Sequence, residues 1–237
     1  MTIHRGPTLP YHVLASVTPC PPGWLVQGAK IQGATFAPER PRVYRTFTEI
    51  LDERPAYELI VVNAPVGCRD HPSDPPRHCD VTARHLLGVR GAAIHNAPTR
   101  PVLAGTMGWR EGGLDAVTAT LLPRYREVAT EMSPFRQRVV FEGNPELSFF
   151  QLNHDTSLRR SKRLVAGRDE RFEILDRHIP GGIGGLLSDP PPGVAPRHQL
   201  DALALLWTVR RVWGRGARRI PQEPEWDSEG LRMEFVF

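Results

Sequence analysis

The four residues Leu59-Ile60-Val61-Val62 are all apolar and mostly β-branched, and Asn63-Ala64-Pro65-Val66-Gly67 stops them at once. A strand with one solvated face alternates apolar and polar residues. A strand with no polar residue needs cover on both faces. Proline and glycine then end the pairing. A chain carrying such a strand is constrained towards a layered fold in which helices pack against a sheet.

The rest of the chain supplies those layers. Tyr11 to Val17 and Trp24 to Ile31 flank the turn Cys20-Pro21-Pro22-Gly23, which predicts an antiparallel hairpin. A third strand is expected around Ala34 or over Arg42 to Thr46, and a short helix over Phe47 to Arg54. Arg77 to Leu87 reads as a helix ended by Gly88. Leu114, Val117, Leu121, Tyr125 and Val128 recur at helical spacing and predict a helix over Leu114 to Ala129. Arg138 to Glu142 reads as a short strand, and Glu146 to Leu152, Asp169 to His178 and Arg197 to Val212 as helices. The predicted fold class is α/β: a mixed sheet with an antiparallel hairpin start, then parallel crossovers, flanked by helices. The length suits one domain over residues 1–237, with a helical insertion at about 68–135 and a loop-rich one at about 153–196.

No run of 18 apolar residues occurs, so no spanning helix is expected. Met1 to Pro7 lacks the apolar stretch of a secretory leader. Cys20, Cys68 and Cys79 cannot all pair within one chain, which points to a reduced, cytoplasmic setting. The formal charge is +4, and Lys30 and Lys162 are the only lysines. Arginine forks suit phosphates, so a nucleic acid is a candidate partner. A GC-rich genome gives the same arginine bias.

Two carboxylates stand in settings that suit metal-assisted phosphoryl chemistry. Glu146 follows the strand 138–142 through the turn Gly143-Asn144-Pro145, at a carboxyl edge where α/β sheets place ligands. A helix N-terminus explains the same residue structurally. Asp201 opens an apolar helix and shares a face with Ala204, Leu205 and Thr208, so its carboxylate is expected to point inward. There it needs a partner, a hydrogen bond or a metal; a capping role is the alternative. Glu142 is a possible further carboxylate and Asp80 another. Asn63 ends the buried strand and Thr18 the first strand, supplying a neutral carbonyl and a hydroxyl. Cys68, His71, His78 and Cys79 invite a zinc reading, weakened by the adjacent His78 and Cys79 and a proline-rich loop. Arg159-Arg160-Ser161-Lys162-Arg163, followed by Arg168 and Arg171, could clamp a phosphate backbone or form a solvated loop. Gly181-Gly182-Ile183-Gly184-Gly185 lacks a nucleotide-loop layout and reads as a mobile loop, a candidate lid.

The ordered set of motifs resembles domain-of-unknown-function family 429. It comprises Cys20-Pro21-x-Gly23-Trp24, Asn63-x-Pro65-x-Gly67, Cys79-Asp80-x-x-Ala83-Arg84-x-Leu86-Leu87-Gly88 and Ala97-Pro98-Thr99-Arg100. It continues with Asn144-Pro145-Glu146-x-Ser148-Phe149, Ser161-Lys162-Arg163 with Gly167, Asp201-Ala202-Leu203-Ala204, Pro224-Glu225-x-Asp227 and Gly230-Leu231-Arg232-Met233-Glu234. The resemblance implies a ribonuclease H-like fold and a predicted nuclease with a magnesium or manganese carboxylate site. Its acids would fall at positions 18, 63, 146 and 201, of which the first two are Thr18 and Asn63 here, and Asn144 replaces the usual His before Pro-Glu. The expected site is therefore Glu146, Asp201, Asn63 and Thr18, with Glu142 as an added metal ligand. Lys162, Arg163, Arg168 and Arg100 are the expected substrate-binding cations. Three functions compete. One is an active metal-dependent nuclease. The second is a degenerate relative that binds nucleic acid or a protein. The third is a small-molecule enzyme that uses the retained acids for acid/base work.

Overall fold

The computed structural model describes residues 10–237; the stretch Met1 to Pro7, read for a leader, lies outside them. The first hairpin forms as expected, with β1 (His12–Cys20) antiparallel to β2 (Gly23–Gln32). Both β3 (Thr35–Pro38) and β4 (Arg42–Tyr44) pair with β2, so the third-strand region is two short strands. Then α1 (Phe47–Leu51) begins at a Thr46/Glu49 capping box. The apolar run is β5 (Leu59–Val62), parallel to β1. Next come α2 (His78–Leu87), a short 3-10 turn over Gly88–Ala93, α3 (Arg100–Ala104) and α4 (Ala116–Glu131). The strand β6 (Val140–Glu142) is parallel to β5. It is followed by α5 (Pro145–Leu152), α6 (Val165–His178), α7 (Gly184–Leu187) and α8 (Pro196–Trp213). A hairpin of β7 (Arg219–Trp226) and β8 (Arg232–Val236) ends the chain. The main sheet has the order β3-β2-β1-β5-β6, with β4 also on β2.

The apolar run is explained by cover on both faces. Ile60 and Val62 join Val13, Ala15 and Val17 on the face packed by Phe47 and Ile50 of α1 and Val128 of α4. Leu59 and Val61 join Leu14 on the other face, against Leu205, Leu206 and Val209 of α8. The period of two along each strand sends alternate side chains into two separate cores. Burying one such Leu or Val contributes roughly 1.5–3 kcal/mol. Ser16 of β1 points towards α8, and its hydroxyl donates to the Ala202 carbonyl at 2.6 Å. That bond fixes α8, and with it Asp201, beside the carboxyl half of β1. Gly143 lets β6 end tightly against this layer, because a Cβ there would lie 2.4 Å from Val61 Cγ1.

Several elements differ from the expectations. The hairpin β7/β8 was not expected, because Pro221 and Pro224 argue against a strand. The register shifts between Ile220 and Glu225, so the prolines sit where the ladder is interrupted. Helix α4 continues through Pro123 and starts at Asp115, whose side chain accepts the Thr118 N–H. The glycine-rich loop, read as a candidate lid, does not line the cleft described below. Ile183 is fully buried among α6 and α8 residues, and its N–H donates to Asp176 Oδ1 at 2.8 Å. Among the described residues no helix is long and apolar enough to cross a membrane.

Candidate functional site

A cleft of about 580 Å³ opens at the carboxyl edge of β1, β5 and β6. Each element delivers one expected residue to it: Thr18 from β1, Asn63 just past β5, Glu146 past β6, and Asp201 from the second turn of α8. The four expected site positions therefore share one cleft. Asn63 Nδ2 donates to Thr18 Oγ1 at 3.1 Å. Asn144 caps α5, its Oδ1 accepting the Glu146 N–H at 2.9 Å, and Pro145 occupies the first turn. This cap aims Glu146 at the cleft.

Each of the two acids already has a cation. Arg171, wholly buried on α6, donates through one nitrogen to both Glu146 oxygens at 2.8 and 3.0 Å. Arg90 adds a contact at 3.2 Å. Burial alone would raise the Glu146 carboxyl. The charges of Arg171, Lys162 and Arg90 outweigh it and hold the group below its ordinary value. Lys162 Nζ donates to Asp201 Oδ2 at 2.5 Å. Here burial wins over Lys162, and the Asp201 carboxyl is pushed up, with the Glu146 charge adding to the push. Asp201 Oδ1 is buried and has no hydrogen-bond partner among the described residues.

The loop that carries Lys162 is held from behind. Arg171 donates to the carbonyls of Arg160 and Gly167, both at 2.9 Å. Gly167 packs so closely on this loop that a Cβ would lie 2.1 Å from the Ser161 carbonyl oxygen. Arg168 donates to the Arg163 carbonyl at 3.0 Å.

Other expected residues have different roles. Glu142, expected as a metal ligand, is already partnered: Arg77 takes its two oxygens at 2.8 and 2.9 Å, and the Val66 N–H takes one again at 2.9 Å. Asp80 is bound by the same arginine at 2.7 and 3.1 Å. This buried trio joins α2 to β6, with Arg77 and Glu142 in the wall of the cleft. Arg100 does not line the cleft; it pairs with Asp227 at 2.6 Å, Asp70 at 3.0 Å and Glu229. Arg168 braces the loop and does not line the cleft. Of the expected binding cations only Lys162 and Arg163 line it, and Lys162 is taken by Asp201. The zinc candidates do not gather into a site of three or more such side chains among the described residues; Cys68 and Cys79 are buried and His71 bonds Ser73.

The cleft holds residues that the sequence reading missed. Arg90, Arg197, His95 and His198 all line it. Arg197 sits four residues before Asp201, a helical spacing that could have placed both on one face. Arg90 follows a helix stop and gave no local signal. His95 Nδ1 pairs with Asp115 Oδ2 at 2.8 Å. Burial, then Arg197 and Lys162, lower the His198 imidazole to about 4, so it is neutral at pH 7.

The residues do not fit the magnesium or manganese pair that the resemblance implies. Paired metals need several anionic ligands. After the ion pairs above, one carboxylate oxygen is unspent, Asp201 Oδ1, beside the neutral oxygens of Asn63 and Thr18. Among the described residues no group of three or more His, Cys, Asp or Glu side chains is placed to hold a metal. The lining instead carries Arg77, Arg90, Lys162, Arg163 and Arg197 against Glu142, Glu146 and Asp201. The cations outnumber the acids, so the cleft favours an anion.

No curated protein and no solved structure matches the sequence. The family described as "Protein of unknown function (DUF429)" matches over residues 17–226, and the chain belongs to that family.

Proposed function

We propose that this member of the family is a ribonuclease H-like protein whose cleft holds the phosphates of a nucleic acid on its own cationic side chains, without a divalent metal. One observation carries the reading. Both acids suited to a metal are neutralised internally, Glu146 by Arg171 and Arg90 and Asp201 by Lys162. Arg163 and Arg197 stand in the same cleft with no carboxylate partner among the described residues. Three antiparallel strands followed by two parallel ones support the fold assignment.

The two competing functions fit the geometry less well. A metal-dependent nuclease would have to displace an ammonium from Asp201 and a guanidinium from Glu146 before it gained a second anionic ligand. An acid/base enzyme would need a carboxyl poised near neutral pH. Glu146 is held in the opposite direction, and Asp201, which burial pushes up, is engaged by the Lys162 ammonium.

Fluorescence anisotropy of a mixed-sequence single-stranded oligonucleotide, in EDTA, tests the reading. Binding is expected without metal. Two phosphate contacts would give log K against log salt a slope of about −1.4. The double variant Arg163→Ala/Arg197→Ala is expected to flatten that slope and weaken binding. Binding that appears only with magnesium or manganese, or that ignores salt, would overturn the proposal.

A further inference from the structure

Resting on the nucleic-acid reading above, we propose that the floor of the cleft selects RNA over DNA by hydrogen-bonding a ribose hydroxyl. The observation is a set of polar groups left unspent where the sheet ends. Asp201 is buried to 4 % exposure, and its Oδ1 has no hydrogen-bond partner among the described residues. His198, one turn earlier on the same helix face, has a buried Nδ1 with no partner among the described residues. Asn63 uses its Nδ2 on Thr18, and its Oδ1 accepts no bond among the described residues. An unmet buried polar atom is costly, so Asp201 Oδ1 and His198 Nδ1 mark a place in the cleft that a bound polar group would complete; half-buried Asn63 offers a further acceptor in the same cleft.

The chemistry of the missing group follows from these atoms. Asp201 Oδ1 and Asn63 Oδ1 accept and cannot donate. A phosphate oxygen would face them acceptor to acceptor and belongs on the arginines of the walls. A metal does not fit, because the same carboxylate already holds an ammonium at 2.5 Å. What remains is a neutral donor within one sugar of a phosphate. The ribose 2′-hydroxyl is such a group. It both donates and accepts, so it also suits the Thr18 hydroxyl, and it is the atom by which proteins tell RNA from DNA. A carboxylate accepting from a ribose hydroxyl is an established pairing chemistry. A base amine could also donate, but it is common to RNA and DNA.

The experiment compares three oligonucleotides of one sequence, as RNA, DNA and 2′-O-methyl RNA, by anisotropy in EDTA. The methylated strand keeps the bases and the ribose shape while removing the donor. RNA is expected to bind about tenfold or more tighter than either other strand, the range for a hydrogen bond to a charged group. Asp201→Ala, which removes the acceptor, is expected to bring the three affinities together. Asn63→Ala, which leaves the Lys162–Asp201 pair intact, is expected to narrow the gap, and melting curves check that each variant folds. Equal affinities for the three strands in wild type, with salt-dependent binding retained, would overturn this inference and leave the nucleic-acid reading standing. A preference that appears only with magnesium, or one carried equally by the methylated strand, would also overturn it. No binding of any strand would overturn the nucleic-acid reading itself.

Discussion

Arg171→Met is the most informative single perturbation of the site. The arginine is wholly buried and Glu146 is 5 % exposed, so the variant leaves a carboxylate in the interior with only the longer contact to Arg90. Breaking a buried pair from one side costs about 3–5 kcal/mol. For a chain of this size each kcal/mol lowers Tm by about 2–4 °C, so a fall of about 6–20 °C is expected. Arg171→Met/Glu146→Gln removes both charges and is expected to recover most of the loss, since the uncompensated charge is the main penalty. The pH dependence gives a second check. In wild type the Glu146 carboxyl lies below its ordinary 4.5. Its contribution is present above pH 4.5 and is lost as pH falls through the lowered folded value. In Arg171→Met burial dominates and raises the carboxyl. The penalty is then full at neutral pH and shrinks as acid protonates Glu146. Differential scanning calorimetry at pH 7 and pH 5 measures both effects. A loss of under about 1 kcal/mol, or one that does not depend on pH, would refute the assignment of Arg171 as the cation of Glu146.

Other outcomes follow from the same geometry. Arg77→Met strands Glu142 and Asp80 together in the interior; urea unfolding is expected to show a loss of at least about 3 kcal/mol. Gly167→Ala drives a Cβ into the Ser161 carbonyl, so it should displace the Lys162 loop and weaken oligonucleotide binding by anisotropy. His198 is held neutral with a lowered folded value near 4. The unfolded chain therefore binds more protons between pH 6.5 and 4, and native stability falls across that window. His198→Gln is expected to flatten this part of the stability–pH curve. The three thiols are buried; a thiol-reactive dye should label them in urea and leave the native protein almost untouched.

The buried strand was legible because an unbroken, mostly β-branched apolar run reports burial directly. Leu59 to Val62 and the hairpin residues could be placed in a sheet from side-chain pattern alone. The end hairpin was not legible, because Pro221 and Pro224 forbid an ordinary ladder and only the tertiary fold shows the interruption that accommodates them. Four site positions were legible as strand-end and helix-start residues: Thr18, Asn63, Glu146 and Asp201 meet in one cleft. Their partners were not. Whether Glu142 faces a metal or Arg77 depends on a residue 65 positions away. Likewise the basic run 159–163 gave no sign that Lys162 alone would turn inward to Asp201 while Arg163 faces the open cleft. Arg100 stands in the motif Ala97-Pro98-Thr99-Arg100, yet its three acidic partners lie in loops that no local pattern brings together.

The central claim is that side-chain cations stand where a divalent metal would be expected. Calorimetric titration of the protein with manganese tests it most directly. The account predicts no binding heat below the millimolar range, in wild type and in Asp201→Asn alike. Micromolar binding in wild type that disappears in Asp201→Asn would contradict it and return the protein to the metal-dependent nucleases.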